Sequence, residues 1–141
     1  MFDTIIIPLD MSAQAEAAIP VAVEEARRHR ARLVLLHVIS PSQLSSGEAD
    51  VRAQGTARED AARAYLEGVR QRFGLPANTA MRIVVGEPVT RIQAEVDAWP
   101  RGLLVMTTGD AADRERLPLG EVARRLLVSG RVPVLGIRPG G

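Results

Sequence analysis

What constrains this chain most is the way short apolar runs alternate with stretches of helical period. Runs at residues 4–9, 32–39, 81–85, 103–107 and 133–137 are rich in β-branched residues or leucine and show little polar alternation. Strands of that kind are covered on both faces, which is the signature of a parallel sheet. Between the first two runs, Ala15, Ala18, Ile19, Ala22, Val23 and Ala26 recur at the spacing of one helix face, leaving Glu16, Glu24, Arg27 and Arg28 for water. Pro20 interrupts that pattern and predicts a kink or a late helix start, because a proline inside a helix removes one backbone hydrogen bond.

A second helix is predicted with Ala62, Tyr65, Leu66, Val69 and Phe73 inward, a capping box at Thr56-Ala57-Arg58-Glu59 as its start, and Gly74 with Pro76 as its stop. Residues 40–55 hold turn formers and no apolar face, and read as a mobile excursion ahead of it. The third helix begins at Pro88, turns Val89, Ile92 and Val96 inward and ends at Pro100. The fourth uses Leu119, Val122, Ala123, Leu126 and Leu127 and closes at Ser129-Gly130. Strand and helix in repeated alternation imply a doubly wound five-stranded parallel sheet with helices on both faces, a single α/β domain over residues 1–141. Ligands on such sheets bind beyond the carboxyl ends of the strands, here the loops after Leu9, Ile39, Val85 and Met106.

Composition removes several classes of function. Eighteen basic and 17 acidic residues, a net charge of +1, are mixed along the chain, and the aromatic residues are Phe2, Tyr65, Phe73 and Trp99. Neither a basic stripe nor a stacking platform for nucleic acid is present. With no cysteine there is no thiol chemistry and no disulfide framework. The first ten residues lack the pattern of a signal peptide, no run has the length of a membrane span, and a cytoplasmic location is expected.

Carboxylates are plentiful, but no pair sits in a recognisable acid/base motif. His29 and His37 have no motif partner, so His37 is expected to pack in the core and His29 to lie on a solvated face. Arg27, Arg28, Arg30 and Arg32 follow Glu24 and Glu25 at pairing distance and read as a solvated, salt-bridged face. Asp10 reads as a first-turn cap shared with Ser12. Gly86, Glu87 and Pro88 read as a turn into a helix. No catalytic or metal-binding residue is expected.

The segments IIIPLDMS, LVLLHVI, VVGEP, LLVM, LPLGEVARRLL and VPVLGI, in this order over nearly the whole chain, resemble the universal stress protein family. The resemblance implies the strand order 3-2-1-4-5 of adenine nucleotide alpha hydrolase-like folds, a role in stress physiology, and a homodimer paired through the last strand, with Val132, Val134, Leu135 and Ile137 at the contact. Some members of that family bind ATP through G-x2-G-x9-G-[S/T] after the fourth strand, with an aspartate at the end of the first. Laid on that pattern, this chain has Thr107 at the first glycine, Asp110 at the second, Gly120 at the third and Glu121 at the hydroxyl position, with Gly109 one residue early. The resemblance assigns the nucleotide site to Pro8, Leu9, Asp10, Val38, Met106, Thr107, Gly109, Asp110, Gly120, Glu121 and Val122.

Substituted glycines strain or block a phosphate loop, and an ionised Glu121 repels a polyphosphate. The expectation is a non-enzymatic homodimer with an impaired nucleotide site and no obligatory cofactor. The alternative is a nucleotide-dependent switch that binds ATP or AMP. A nucleotidyl transferase on the related scaffold would carry paired histidines after the first strand, where this chain has Asp10-Met11-Ser12.

Overall fold

A computed structural model describes residues 1–41, 48–108 and 119–138, with the side chains of 48–54 and of 119 and 120 left aside. Five strands, β1 (Thr4–Pro8), β2 (Arg32–Ile39), β3 (Ala80–Val85), β4 (Gly102–Thr107) and β5 (Val134–Ile137), form one parallel sheet in the order β3-β2-β1-β4-β5. The helices are α1 (Ala13–Glu16), α2 (Ile19–His29), α3 (Glu48–Arg72), α4 (Pro88–Ala98) and α5 (Leu119–Ser129). The strand order turns back between β1 and β4, which pair through Thr4 with Gly102, Ile5 with Leu103 and Ile6 with Leu104. Such a reversal opens a crevice at the carboxyl ends of the two strands.

Side-chain alternation splits the core into two layers. Ile5, Ile7, Leu33, Leu35, Leu103 and Val105 pack with Ala15, Ile19, Ala22, Leu66 and Val69 on the face covered by α1, α2 and α3. Ile6, Val34, Leu36, Leu104 and Met106 pack with Val89, Ile92, Val96, Val122, Ala123 and Leu126 under α4 and α5. Because every residue of β1 and β4 is buried, both strands read as continuous apolar runs.

The expected strands are found within a residue of their sequence bounds, and α4 and α5 begin where expected. Pro20 gives a late start: α1 is a single turn capped by Ser12, and α2 begins anew at Ile19 with the proline in its first turn. Pro88 opens α4 as expected, with Glu87 as the cap. The capping box at Thr56 does not start a helix. α3 already runs from Glu48, because 48–54 (EADVRAQ) are mostly good helix formers and Thr56 and Glu59 fall inside the continuing ladder. The rest of the predicted excursion that lies in residues 42–47 is outside the described residues.

Two side chains read as inward are not. Phe73 is 37% exposed at the end of α3, where Arg72 sits 5.7 Å from its ring, and Leu127 is 51% exposed on α5. The basic face pairs as expected in part: Arg27 reaches Glu24 at 3.5 Å and Arg28 reaches Glu24 and Glu25 at 3.8 and 3.9 Å, whereas Arg30 is the left-handed cap that ends α2 and Arg32 opens β2. His29 is less solvated than its neighbours. It lies 3.3 Å from Glu25 and packs edge-on against Phe2. Among the described residues no helix is long and apolar enough to cross a membrane.

Candidate functional site

The carboxyl ends of β1, β2 and β4 bring together most of the residues singled out from the sequence. Pro8 and Leu9 are buried as β1 ends, and the Leu9 amide donates to the Leu36 carbonyl at 2.8 Å. Asp10 follows, half-buried, with Val38 half-buried near the end of β2. Met106 and Thr107 complete β4, both buried, and Val122 is buried one residue beyond Glu121 in α5. Gly120 lies in the first turn of α5. Gly109 and Asp110 lie outside the described residues.

The first-strand loop is tightly bonded. Asp10 Oδ1 accepts from the Ser12 amide at 3.0 Å and from Ser12 Oγ at 2.5 Å. Ser12 Oγ in turn accepts from the Ala15 amide at 3.1 Å and caps α1. The capping reading of Asp10 and Ser12 is therefore refined: Ser12 is the cap, and Asp10 holds the cap. Met11 between them adopts φ 70°, a left-handed conformation that is a genuine outlier for a bulky residue.

His37 contributes a contact that sequence reasoning did not assign. It is 7% exposed, as core packing requires, and its Nδ1 lies 2.7 Å from the Leu9 carbonyl. A carbonyl only accepts, so Nδ1 carries the proton and donates. The ring thus ties β2 to the residue that precedes Asp10. A histidine near the carboxyl end of a buried strand was the available signal, but its partner is 28 residues away.

On the α4 and α5 side the site is ringed by paired charges. Glu121, in the first turn of α5, takes Arg124 Nε at 3.0 Å on Oε2. The hydrogen bonds and charge of Arg124 hold its carboxyl below the ordinary value, against a smaller opposing effect of burial. Glu87 accepts from the Thr90 amide at 2.7 Å and meets Arg125 Nη1 at 3.3 Å, linking the start of α4 to the middle of α5. Burial pushes the Glu87 carboxyl up, and the hydrogen bonds at Thr90 with the Arg125 charge bring it below the usual range. Gly86, at φ 154°, donates its amide to the Ile39 carbonyl at 3.0 Å, and a Cβ there would stand 2.5 Å from Arg91 Cγ. Among the described residues no group of three or more His, Asp or Glu is placed to hold a metal ion.

Asp10, Val38 and Met106 thus lie toward the carboxyl ends of β1, β2 and β4, and α5 carries the Glu121 carboxylate, paired with Arg124, in its first turn. A helix N-terminus gathers free amides and favours negative charge, and the Glu121 side chain supplies one from within.

A sequence model described as the universal stress protein family matches residues 1–138. A protein from Thermus aquaticus, described as the universal stress protein in the QAH/OAS sulfhydrylase 3′ region, is 28% identical over 138 residues, covering 98% of this chain and all of that one. A crystal structure of a universal stress protein family member from Burkholderia pseudomallei is 25% identical with a TM-score of 0.72, covering 96% of each chain. The fold recurs at TM-scores of 0.68 and 0.61 in a universal stress protein in complex with cAMP, 19% identical over 97% of each chain, and in the Archaeoglobus fulgidus protein in complex with dAMP, 20% identical over 98% of each.

Proposed function

The chain belongs to the universal stress protein family, and from that premise we propose that it is a cytoplasmic, non-enzymatic stress-response module. In this reading it keeps the nucleoside end of the family's pocket and has lost the grip on a polyphosphate tail. It binds an adenine mononucleotide at least as readily as ATP and acts as a homodimer through contacts with other proteins. The observation that carries the reading is Glu121. Its carboxylate is held ionised by Arg124 in the first turn of α5, where a phosphate would need to settle. Two relatives of the same fold are described in complex with cAMP and with dAMP, each with a single phosphate.

Asp10 in this reading contacts the nucleoside, with Pro8, Leu9, Val38 and Met106 walling the base and Thr107 and Gly120 flanking the phosphate. The dimer forms along the outer edge of β5, where Val134, Leu135 and Ile137 are half-buried at the end of the sheet. An unpaired edge of that kind seeks a partner strand, and an isologous pairing with a second copy supplies one. Titration calorimetry of the full chain with AMP and with ATP and magnesium tests the reading. Binding of AMP that is equal to or tighter than that of ATP supports it, and tight ATP binding overturns it. The alternative, a nucleotide-dependent switch, is favoured if ATP co-purifies with the protein.

A further inference from the structure

Glu16 closes the single turn of α1 and is gripped from across the structure by α3. Tyr65 Oη donates to Glu16 Oε2 at 2.6 Å, and Arg72 donates to Oε1 at 3.0 Å and to Oε2 at 3.2 Å. The Glu16 side chain is only 14% exposed, so this is a shielded contact, not a surface pair waving in water. At the other end of the same turn stands the Asp10–Ser12 loop with its left-handed Met11.

The geometry of α1 makes the grip consequential. From α1 the chain runs on through bonds of the Ala17 amide to the Gln14 carbonyl and of the Ala18 amide to the Ala15 carbonyl, 3.2 Å each, and not through a continuous α-helical ladder. Ala18 provides no side-chain cap for α2. The turn is therefore held by two short-range bonds toward α2, by the burial of Ala15 in the core, and, at its last residue, by the bonds of Tyr65 and Arg72 from α3. A left-handed, β-unbranched but bulky residue persists only where its surroundings over-determine it. Met11 is 41% exposed, so packing of its own side chain is a poor source of that constraint. The bonds on either side of it are a better one.

We propose that Tyr65 and Arg72 are positioning residues for Asp10. By holding Glu16 they fix the orientation of α1, and the fixed turn keeps Met11 left-handed and the Asp10 carboxylate folded back onto Ser12. α3 thereby sets the shape of the first-strand loop through Glu16, which lies 49 and 56 residues from Tyr65 and Arg72 along the chain. The Asp10 charge also acts on the Tyr65 hydroxyl, which is held well above the ordinary phenol value by burial first and by Glu16 second. Only the ligand arm of the test below rests on the proposed nucleotide role of Asp10.

Hydrogen exchange on the full chain, free of ligand, tests the proposal in Glu16→Ala and Tyr65→Phe. Amides of residues 11–18 are expected to exchange about tenfold faster, while those of β1, β2 and β4 keep the wild-type rate. Unchanged exchange in 11–18, or equal acceleration throughout the sheet, overturns it. Asparagine visits the left-handed region far more readily than methionine. Adding Met11→Asn to Glu16→Ala should therefore bring exchange in 11–18 back to within about twofold of wild type. Absence of that rescue also overturns the proposal, because a purely structural loss would not respond to a change at Met11. In calorimetry, Glu16→Ala should weaken AMP about fivefold, with recovery on adding Met11→Asn. If the wild type binds AMP and Glu16→Ala binds it equally well, the positioning role fails. If the wild type does not bind AMP, the nucleotide reading fails and the exchange rates alone decide this one.

Discussion

Glu95 of α4 and Arg82 of β3 form an ion pair at 2.8 Å in which the carboxylate is buried and the guanidinium half-exposed. Trp99 Nε1 donates to the second Glu95 oxygen at 3.2 Å, and Arg32 lies 5.5 Å from the Trp99 ring, so the pair anchors a polar seam along the β3 edge. The asymmetry predicts unequal mutational costs. Arg82→Met leaves a buried carboxylate without its cation and should cost about 2 to 3 kcal/mol, below the usual range for a broken buried pair because water reaches Arg82. Glu95→Gln keeps hydrogen-bonding capacity and should cost about 1 kcal/mol. Urea unfolding of the two variants measures both, and an equal loss would contradict the ordering.

The same seam predicts acid sensitivity. Burial pushes the Glu95 carboxyl up, and the hydrogen bonds from Arg82 and Trp99 with the nearby charges bring it below the ordinary value. Glu16 is lowered too, first by its bond from Arg72. A carboxyl lowered in the folded state contributes stability that is complete above its unfolded value and is lost as pH falls through its folded one. Stability should therefore fall from about pH 4.3 downward. Denaturant midpoints measured from pH 6 to pH 2.5 should show a shallower acid limb in Glu95→Gln.

Removing the charge at the start of α5 should help a phosphate. In Glu121→Ser, ATP with magnesium is expected to bind about threefold to tenfold tighter in low salt, a modest gain because the group is exposed and already paired with Arg124. The gain should shrink as salt is added. Calorimetric titration at two ionic strengths checks both statements, and no change at either would remove Glu121 as the barrier.

The proposed dimer edge makes a prediction that depends on backbone direction. Leu104 N donates to the Pro133 carbonyl at 3.0 Å and Thr108 N to the Ile137 carbonyl at 2.9 Å, so alternate residues of β5 turn their backbone groups toward β4. By the same alternation Leu135 faces β4, and the Val134 and Gly136 backbones face outward. Val134→Pro removes an outward amide and should shift the protein toward monomer with β4 and β5 still paired. Light scattering that reports an unchanged mass would contradict the edge pairing.

Gly136 is required by its neighbour. A Cβ at this position would stand 2.5 Å from Thr108 Cγ2, in the residue that follows β4 toward the site. Gly136→Ala should cost about 1 kcal/mol, since an exposed threonine can turn away. Adding Thr108→Ala should recover most of that loss, as thermal unfolding of the single and double variants would reveal.

The sheet and its helices were legible in the residues because period and length are local properties. β1 and β4 announce burial on both faces by their unbroken apolar runs, and Pro20 and Pro88 mark helix starts through their missing amides. The capping box at Thr56 misled because a cap acts only where the preceding residues resist helix, and those before it favour one. Phe73 and Leu127 carry the right period but are left exposed among the described residues. The candidate site divides in the same way. Asp10, Met106 and Glu121 stood out by their order along the chain. The bond from His37 to the Leu9 carbonyl and the grip of Tyr65 and Arg72 on Glu16 did not. Those contacts exist because α1 and α3 cover one face of the sheet and β2 lies beside β1, and only the packed sheet sets which side chains then meet.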